Sequence, residues 1–154
     1  MPELRVKKVL LVEDSADDEL LTMRGLSKSM VPHTVDVVRD GSEAVRYLEN
    51  LDQYSDLPDL ILLDLKLPKL NGIEVLKRAR ASAVTRSIPV VVLTSSDEES
   101  DVKACYDNGA NSYVCKPVEY ELFLRSVKSI GAFWLEMATL PNCLVTAPPV
   151  VKFL

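Results

Sequence analysis

The chain has few of the residues that build disulfide, zinc or nucleotide-phosphate sites. It contains five glycines, three cysteines and one histidine among 154 residues. No glycine-rich loop is present to hold a nucleotide phosphate. Cys105, Cys115 and Cys143 form no C-x-x-C pair, so neither a disulfide framework nor a zinc site is indicated, and we interpret them as reduced. His33 follows Pro32 in an expected loop, and we assign it no role.

The chain also lacks a basic excess and a long apolar run. Its 18 Lys and Arg residues are outnumbered by 23 Asp and Glu residues, so we expect no nucleic-acid partner. No apolar run approaches the ~18 residues of a membrane span, and residues 1–8 are too polar for a signal sequence. We therefore expect no membrane partner and a cytoplasmic location. A hydrophobic content of 47% fits one compact domain.

Short apolar runs alternate with helical periodicity along the chain, which predicts β-α units and a parallel sheet. The predicted strands cover residues 7–12, 34–38, 60–63, 89–93 and 110–114.

The predicted helices are amphipathic. The first has an apolar stripe and ends before Pro32, and the last runs from residue 118 to about 138. Asn71-Gly72 predicts one helix start, Ser96 with Glu99 predicts a capping box at another, and Asn108-Gly109 predicts a left-handed helix end. The first stripe consists of Ala16, Leu20, Met23, Leu26 and Met30. The last consists of Phe123, Val127, Ile130, Trp134 and Met137.

Acidic residues follow two of the predicted strands directly. Asp64 comes after the apolar run 60–63, and Glu13 and Asp14 come after the apolar run 9–12. Carboxyl ends of parallel strands meet at one edge of an open α/β sheet, where such folds keep their ligands. Carboxylates placed together there repel one another unless a cation lies between them. A simpler interpretation is that Glu13 and Asp14 only stabilise a helix N-terminus, by ~0.3–1 kcal/mol.

The ordered motif set resembles bacterial response-regulator receiver domains over about residues 7 to 130. The motifs are Leu11-Val-Glu13-Asp14-Ser15, Leu63-Asp64-Leu-Lys-Leu-Pro68, Gly72, Leu93-Thr94-Ser95 and Asn111-Ser-Tyr113-Val-Cys-Lys116-Pro117. The resemblance implies an α/β, flavodoxin-like fold with a doubly wound five-stranded parallel sheet of strand order 2-1-3-4-5. It also implies a receiver domain over residues 1–138, with an extended last helix, and a C-terminal tail over residues 139–154.

The resemblance also implies the chemistry. Asp64 is expected to accept a phosphoryl group from a histidine kinase, and Lys116 and Thr94 are expected to contact the phosphoryl oxygens. Mg²⁺ is the implied cofactor, and its implied ligands are Glu13, Asp14, Asp64 and the backbone carbonyl of Lys66. The implied catalysis is limited to autophosphorylation and autodephosphorylation of Asp64.

Two further expectations concern conformation. In the resembling family Thr94 and Tyr113 form a switch, in which Tyr113 turns inward when Thr94 moves towards the phosphoryl group. A simpler interpretation of Tyr113 is an ordinary half-buried strand aromatic. The resemblance also implies a cis Lys116-Pro117 bond, because proline lowers the cost of that isomer.

The C-terminal part carries a second, shorter resemblance. Phe133-Trp134-Leu135-Glu136 followed by Thr139-Leu140-Pro141 is similar to the extension of regulators that partner bacterial phytochromes, which implies a phytochrome as the histidine kinase. Exposed aromatics and an apolar tail are typical of an interface. We predict a homodimer through the last helix, the face of the fourth helix and fifth strand, and the tail, with Phe133, Trp134 and Met137 in the interface. The alternative is a tail folded back on its own domain.

Two other function classes remain open. A Mg²⁺-dependent phosphohydrolase of the haloacid dehalogenase type commonly carries a second acid two residues after its nucleophile, where this chain has Lys66. A receiver-shaped scaffold that works without phosphorylation does not need the complete acidic set. Both classes are therefore less well supported than a phosphoryl acceptor.

Overall fold

A computed structural model describes residues 6–141 of the chain. Cys143 and the tail beyond residue 141 lie outside the described residues. The strands are β1 (Lys7–Val12), β2 (His33–Val38), β3 (Leu60–Leu63), β4 (Val90–Thr94) and β5 (Ser112–Cys115). The helices are α1 (Ala16–Leu26), α2 (Gly41–Glu49), α3 (Gly72–Ala81), α4 (Glu99–Asp107) and α5 (Tyr120–Gly131), and α5 continues into a π-helical segment, Ala132–Met137.

The five strands are all parallel, and their order is 2-1-3-4-5, which confirms the predicted fold class. Alternate residues of β1 and β3 enter opposite cores. Leu10 and Ile61 pack with α2, α3 and α4, whereas Leu11 and Leu62 pack with α1 and α5. Because both faces of the central strands are covered, these strands are continuous apolar runs rather than alternating ones.

Of the predicted apolar stripe of α1, Leu26 is completely buried, but several other members are exposed. The helix ends at Leu26, well before Pro32, and Leu20 and Met30 are 52% and 91% exposed. The helix packs on α5 through Gly25, where an added Cβ would lie 2.6 Å from the Cβ of Val127. A pattern of apolar side chains in the sequence does not reveal a helix face that packs through glycine.

The predicted helix ends have mixed outcomes. Asn71 caps α3 through its side chain, and Gly109, with φ of 94°, follows the end of α4, as predicted. The predicted Ser96 capping box is wrong. Helix α4 follows Glu98 without a side-chain cap. The Ser96 hydroxyl instead accepts from the backbone N–H of Glu98 at 3.4 Å and donates to the Asp101 carboxylate at 2.5 Å.

The last helix changes its period after Gly131. A straight α-helix would bury Trp134 and Met137 after Ile130, but the wider π turn buries Leu135, five residues on, and leaves Met137 75% exposed. The Lys7 ammonium donates to the Leu135 carbonyl at 2.6 Å and so fixes this turn to β1. Beyond Ile130, Trp134 still packs partly on the core, but the predicted regular period does not continue to Met137.

The π-helical segment is also tied to the loop after α1. The Glu136 carboxylate accepts hydrogen bonds from the backbone N–H of Met30 at 2.7 Å and from the Ser29 hydroxyl at 3.2 Å.

No cis peptide bond occurs within residues 6–141, so the expectation for Lys116-Pro117 is wrong. Over the same residues, no helix combines the length and apolarity that crossing a membrane requires.

Candidate functional site

The site lies at the carboxyl ends of β1, β3, β4 and β5. Val12 pairs with Leu63, so the residues that follow these strands, Glu13 and Asp64, stand side by side. The backbone N–H of Asp64 donates to the Val12 carbonyl at 3.0 Å, which continues the ladder up to the site. Strands β1 and β3 flank the point where the strand order reverses, and open α/β sheets bind ligands there.

Three carboxylates meet at this edge, as the sequence predicts. One oxygen from each of Glu13, Asp14 and Asp64 lies within 4.8 Å of the other two. Glu13 and Asp64 are buried, whereas Asp14 is exposed. Mg²⁺ prefers such a hard carboxylate set and keeps several waters, so a site open on one side fits it. The donor chemistry therefore fits a divalent cation.

Lys116 occupies the centre of the same cluster. Its ammonium nitrogen lies 2.5 Å from Glu13 Oε1, 2.8 Å from Asp64 Oδ2 and 2.9 Å from Asp18 Oδ2. An ammonium group has three donors, and each has a carboxylate here. Lys116 is predicted from the sequence at this site, whereas its partner Asp18 is not.

Burial and Lys116 act in opposite directions on the pKa values of these groups. Burial raises the pKa of Glu13 to about 7, although the hydrogen bond from Lys116 opposes the rise. Burial would also raise the pKa of Asp64, but Lys116 and the Thr94 hydroxyl together hold it below its usual value. Burial would lower the pKa of Lys116, but hydrogen bonds to Asp64, Glu13 and Asp18 raise it. Asp64 is thus an anion beside a charged ammonium.

Thr94 and Tyr113 are both turned towards the protein interior. The Thr94 hydroxyl donates to Asp64 Oδ1 at 2.7 Å, and Thr94 is completely buried. The Tyr113 hydroxyl donates to the Ser96 carbonyl at 2.7 Å, beside the loop that follows β4. Lys66 is exposed, and its backbone N–H donates to Asp64 Oδ1 at 3.2 Å. The switching role of Thr94 and Tyr113 and the ligand role of the Lys66 carbonyl stay predictions.

Gly72 allows the loop after β3 to fold back onto Asp64. An added Cβ at Gly72 would lie 2.3 Å from the Asp64 carbonyl oxygen and 2.7 Å from the Leu65 Cα, closer than side-chain carbons approach. The backbone N–H of Gly72 donates to the Leu65 carbonyl at 2.9 Å. Glycine is therefore required here for a close backbone approach.

The three predicted interface residues lie apart from this acidic cluster, on the π-helical segment. Phe133 is 49% exposed and Met137 is 75% exposed, whereas Trp134 packs partly on the core beneath α5. The rings of Phe133 and Trp134 meet edge to face, with centroids 5.0 Å apart. The exposed apolar surface is thus centred on Phe133 and Met137.

Comparison with known proteins identifies the family. The family model for the response regulator receiver domain matches residues 9–128. The response regulator Rcp1 of Synechocystis sp. is 42% identical over 137 residues, which cover 88% of this chain and 93% of that protein. The structure of the phosphorylated cyanobacterial phytochrome response regulator RcpA is 45% identical, with a TM-score of 0.83, and the match covers 89% of this chain and 99% of that one.

A second solved structure bears on the metal. The Mn²⁺-bound form of Rcp1 is 42% identical, with a TM-score of 0.82, over 88% of this chain and 99% of that one. Relatives of the chain therefore hold a divalent cation, and the three carboxylates at the sheet edge supply the donors for one here. The chain belongs to the response regulator receiver domains.

Proposed function

We propose that the chain is a response regulator that accepts a phosphoryl group on Asp64 from a histidine kinase and signals through protein contacts. The observation that carries this proposal is the pair of donors on one carboxylate. The Lys116 ammonium contacts Asp64 Oδ2 at 2.8 Å, and the Thr94 hydroxyl contacts Asp64 Oδ1 at 2.7 Å. Both donors stand beside the carboxylate that attacks phosphorus, and so beside the phosphoryl oxygens that carry the negative charge during transfer.

The reaction is a displacement at phosphorus. A carboxylate oxygen of Asp64 forms a bond to phosphorus as the phosphorus–nitrogen bond of a phosphohistidine breaks, and the imidazole leaves with the electron pair. Lys116 neutralises charge on the transferred group, and Thr94 donates a hydrogen bond to it. Mg²⁺, held by Glu13, Asp14, Asp64 and the Lys66 carbonyl, would supply the remaining positive charge. Attack by water on the phosphorus of the acyl phosphate releases inorganic phosphate and restores the Asp64 carboxylate.

The surroundings of Lys66 disfavour a phosphohydrolase. Lys66 stands two residues after Asp64, its side chain is exposed, and only its backbone N–H is near the Asp64 carboxylate. No carboxyl group stands at that position to protonate the leaving oxygen of a phosphate ester. The complete set of donors around Asp64 likewise supports a phosphorylated regulator over an inert scaffold.

The direct test is intact-mass measurement after incubation with acetyl phosphate and Mg²⁺. We expect a gain of one phosphoryl group, abolished when EDTA removes the metal because the charge on the phosphoryl oxygens is then not neutralised. Peptide mapping should place the group on the segment that contains Asp64. Release of inorganic phosphate from simple phosphate esters, with no gain of phosphoryl mass on the protein, would instead support the phosphohydrolase.

We propose a phytochrome as the kinase, on the basis of the 45% identity to the phytochrome response regulator RcpA. Transfer of radioactive phosphate from an autophosphorylated phytochrome kinase is expected to be faster than transfer from a histidine kinase of another sensor class. The measurement is the initial rate at equal kinase concentration. Equal rates from the two kinases would contradict this partner.

We also propose that the regulator forms a homodimer through its last helix, including the π-helical segment, together with the face of α4 and β5 and the C-terminal tail. The support is the exposed pair Phe133 and Met137, since apolar side chains of this size on one surface are typical of an interface. Light scattering is expected to show a dimer in the wild type and a monomer in a Phe133→Glu, Met137→Glu variant. A Tyr54→Glu variant is the control, because Tyr54 is 87% exposed but lies in the loop after α2. A wild-type monomer would contradict the dimer.

A further inference from the structure

Three carboxylates contact the Lys116 ammonium, and Asp18 is the one among them that does not belong to the group proposed to bind the metal. It stands in the first turn of α1, and its backbone N–H donates to the hydroxyl of Ser15, the N-cap, at 3.2 Å. Its carboxylate lies 2.9 Å from the Lys116 nitrogen. The cap fixes the backbone of Asp18, so its carboxylate meets Lys116 from a rigid helix start rather than from a loop.

The other two partners of Lys116 have a competing use. Glu13 and Asp64 are both in the carboxylate group that fits a cation, and both are hydrogen-bonded to the Lys116 ammonium. The ammonium and a metal ion therefore compete for the same two carboxylates. When a cation binds Glu13 and Asp64, Asp18 is the remaining carboxylate among the three that contact Lys116. A buried ammonium without any partner would be costly.

We propose that Asp18 is a positioning residue for Lys116, and this inference rests on the proposed function. Asp18 holds the ammonium beside Asp64 while Glu13 and Asp64 turn to the metal, so that Lys116 is already in place when a phosphoryl group arrives. Because the ammonium keeps its contact with Asp18, breaking its hydrogen bonds to Glu13 and Asp64 costs less free energy. It touches neither the metal nor the reacting atoms and acts only through Lys116.

The test is calorimetric titration of the protein with Mg²⁺ alone, without a phosphoryl donor. Asp18→Asn is compared with Asp17→Asn, which removes the same charge from the same first turn of α1 at an exposed position. We expect Asp18→Asn to weaken Mg²⁺ binding about tenfold, the value of one charge-assisted hydrogen bond. Asp17→Asn should change the affinity less than about twofold, as an exposed charge does.

The decisive comparison repeats both substitutions in a Lys116→Met background. If Asp18 acts through Lys116, the tenfold loss disappears there, and Asp18→Asn matches Asp17→Asn. Equal effects of the two substitutions in the wild type would overturn the inference, as would a loss that persists without Lys116. The proposed function fails on a different measurement, the absence of phosphoryl mass on the wild type. Circular dichroism of each variant confirms that the fold is retained.

Discussion

An Asp64→Asn variant is expected to gain no phosphoryl mass when it is incubated with acetyl phosphate and Mg²⁺, whereas the wild type gains one group. The amide has no anionic oxygen to attack phosphorus. The neighbouring acids are poor substitutes, because Glu13 is buried against Lys116 and Asp14 is exposed. Among the described acidic residues, Asp64 is the one that accepts a hydrogen bond from Lys116 on one carboxylate oxygen and from Thr94 on the other.

A matched control for Asp64→Asn is available in the same strand region. Asp59 immediately precedes β3, is completely buried, and accepts a hydrogen bond from the backbone N–H of Lys8 at 2.8 Å. Asp59→Asn makes the same chemical change at the opposite end of the strand and retains an oxygen that accepts this bond. It should be phosphorylated like the wild type. A phosphoryl gain in Asp64→Asn would place the acceptor on another residue.

The acidic cluster was predictable from strand geometry together with the strand order that the family resemblance implies. The continuous apolar runs before Glu13 and Asp64 indicate strands covered on both faces, and such strands occur in parallel sheets. In a parallel sheet, residues that follow neighbouring strands must meet at one edge, whatever the loops do. Thr94 follows from the same rule, since it ends the strand paired with β3.

The contact between Asp18 and Lys116 was not predictable in this way. The two residues are 98 positions apart, and their meeting depends on where α1 starts relative to the end of β5. A local signal was present, because Asp18 stands three residues after Ser15, the N-cap of α1, and so lies in the first turn of that helix. That spacing places Asp18 at the helix start but does not indicate which cation it meets.

The last helix shows a different limit. A period of 3.6 residues correctly predicts the buried positions Phe123, Val127 and Ile130. It fails at Leu135, because the π turn is stabilised by a distant donor, the Lys7 ammonium on the Leu135 carbonyl. A local pattern carries no information about that donor. The regular period that links Trp134 and Met137 to this stripe in the sequence therefore does not continue in the structure, where Met137 is 75% exposed.

Replacing Lys116 with methionine is expected to lower the free energy of unfolding by about 3 kcal/mol in metal-free buffer, the usual cost of removing one partner of a buried ion pair. The substitution leaves Glu13 and Asp64 buried at short distance without their common cation. Glu13 limits the loss, because burial already raises its pKa to about 7 and it can take up a proton. Urea unfolding monitored by circular dichroism measures the change.

Mg²⁺ should stabilise Lys116→Met more than it stabilises the wild type, because the ammonium no longer competes for Glu13 and Asp64. A ligand that binds the folded state more tightly adds more stability at the same concentration. Lys103→Met is the matched control, since Lys103 makes an exposed ion pair with Asp107 and its loss should cost less than about 1 kcal/mol. Equal stabilities of Lys116→Met and Lys103→Met would show that the cluster tolerates its charge without a cation. Lys116 would then serve the phosphoryl group alone, and the metal-free protein would not depend on it.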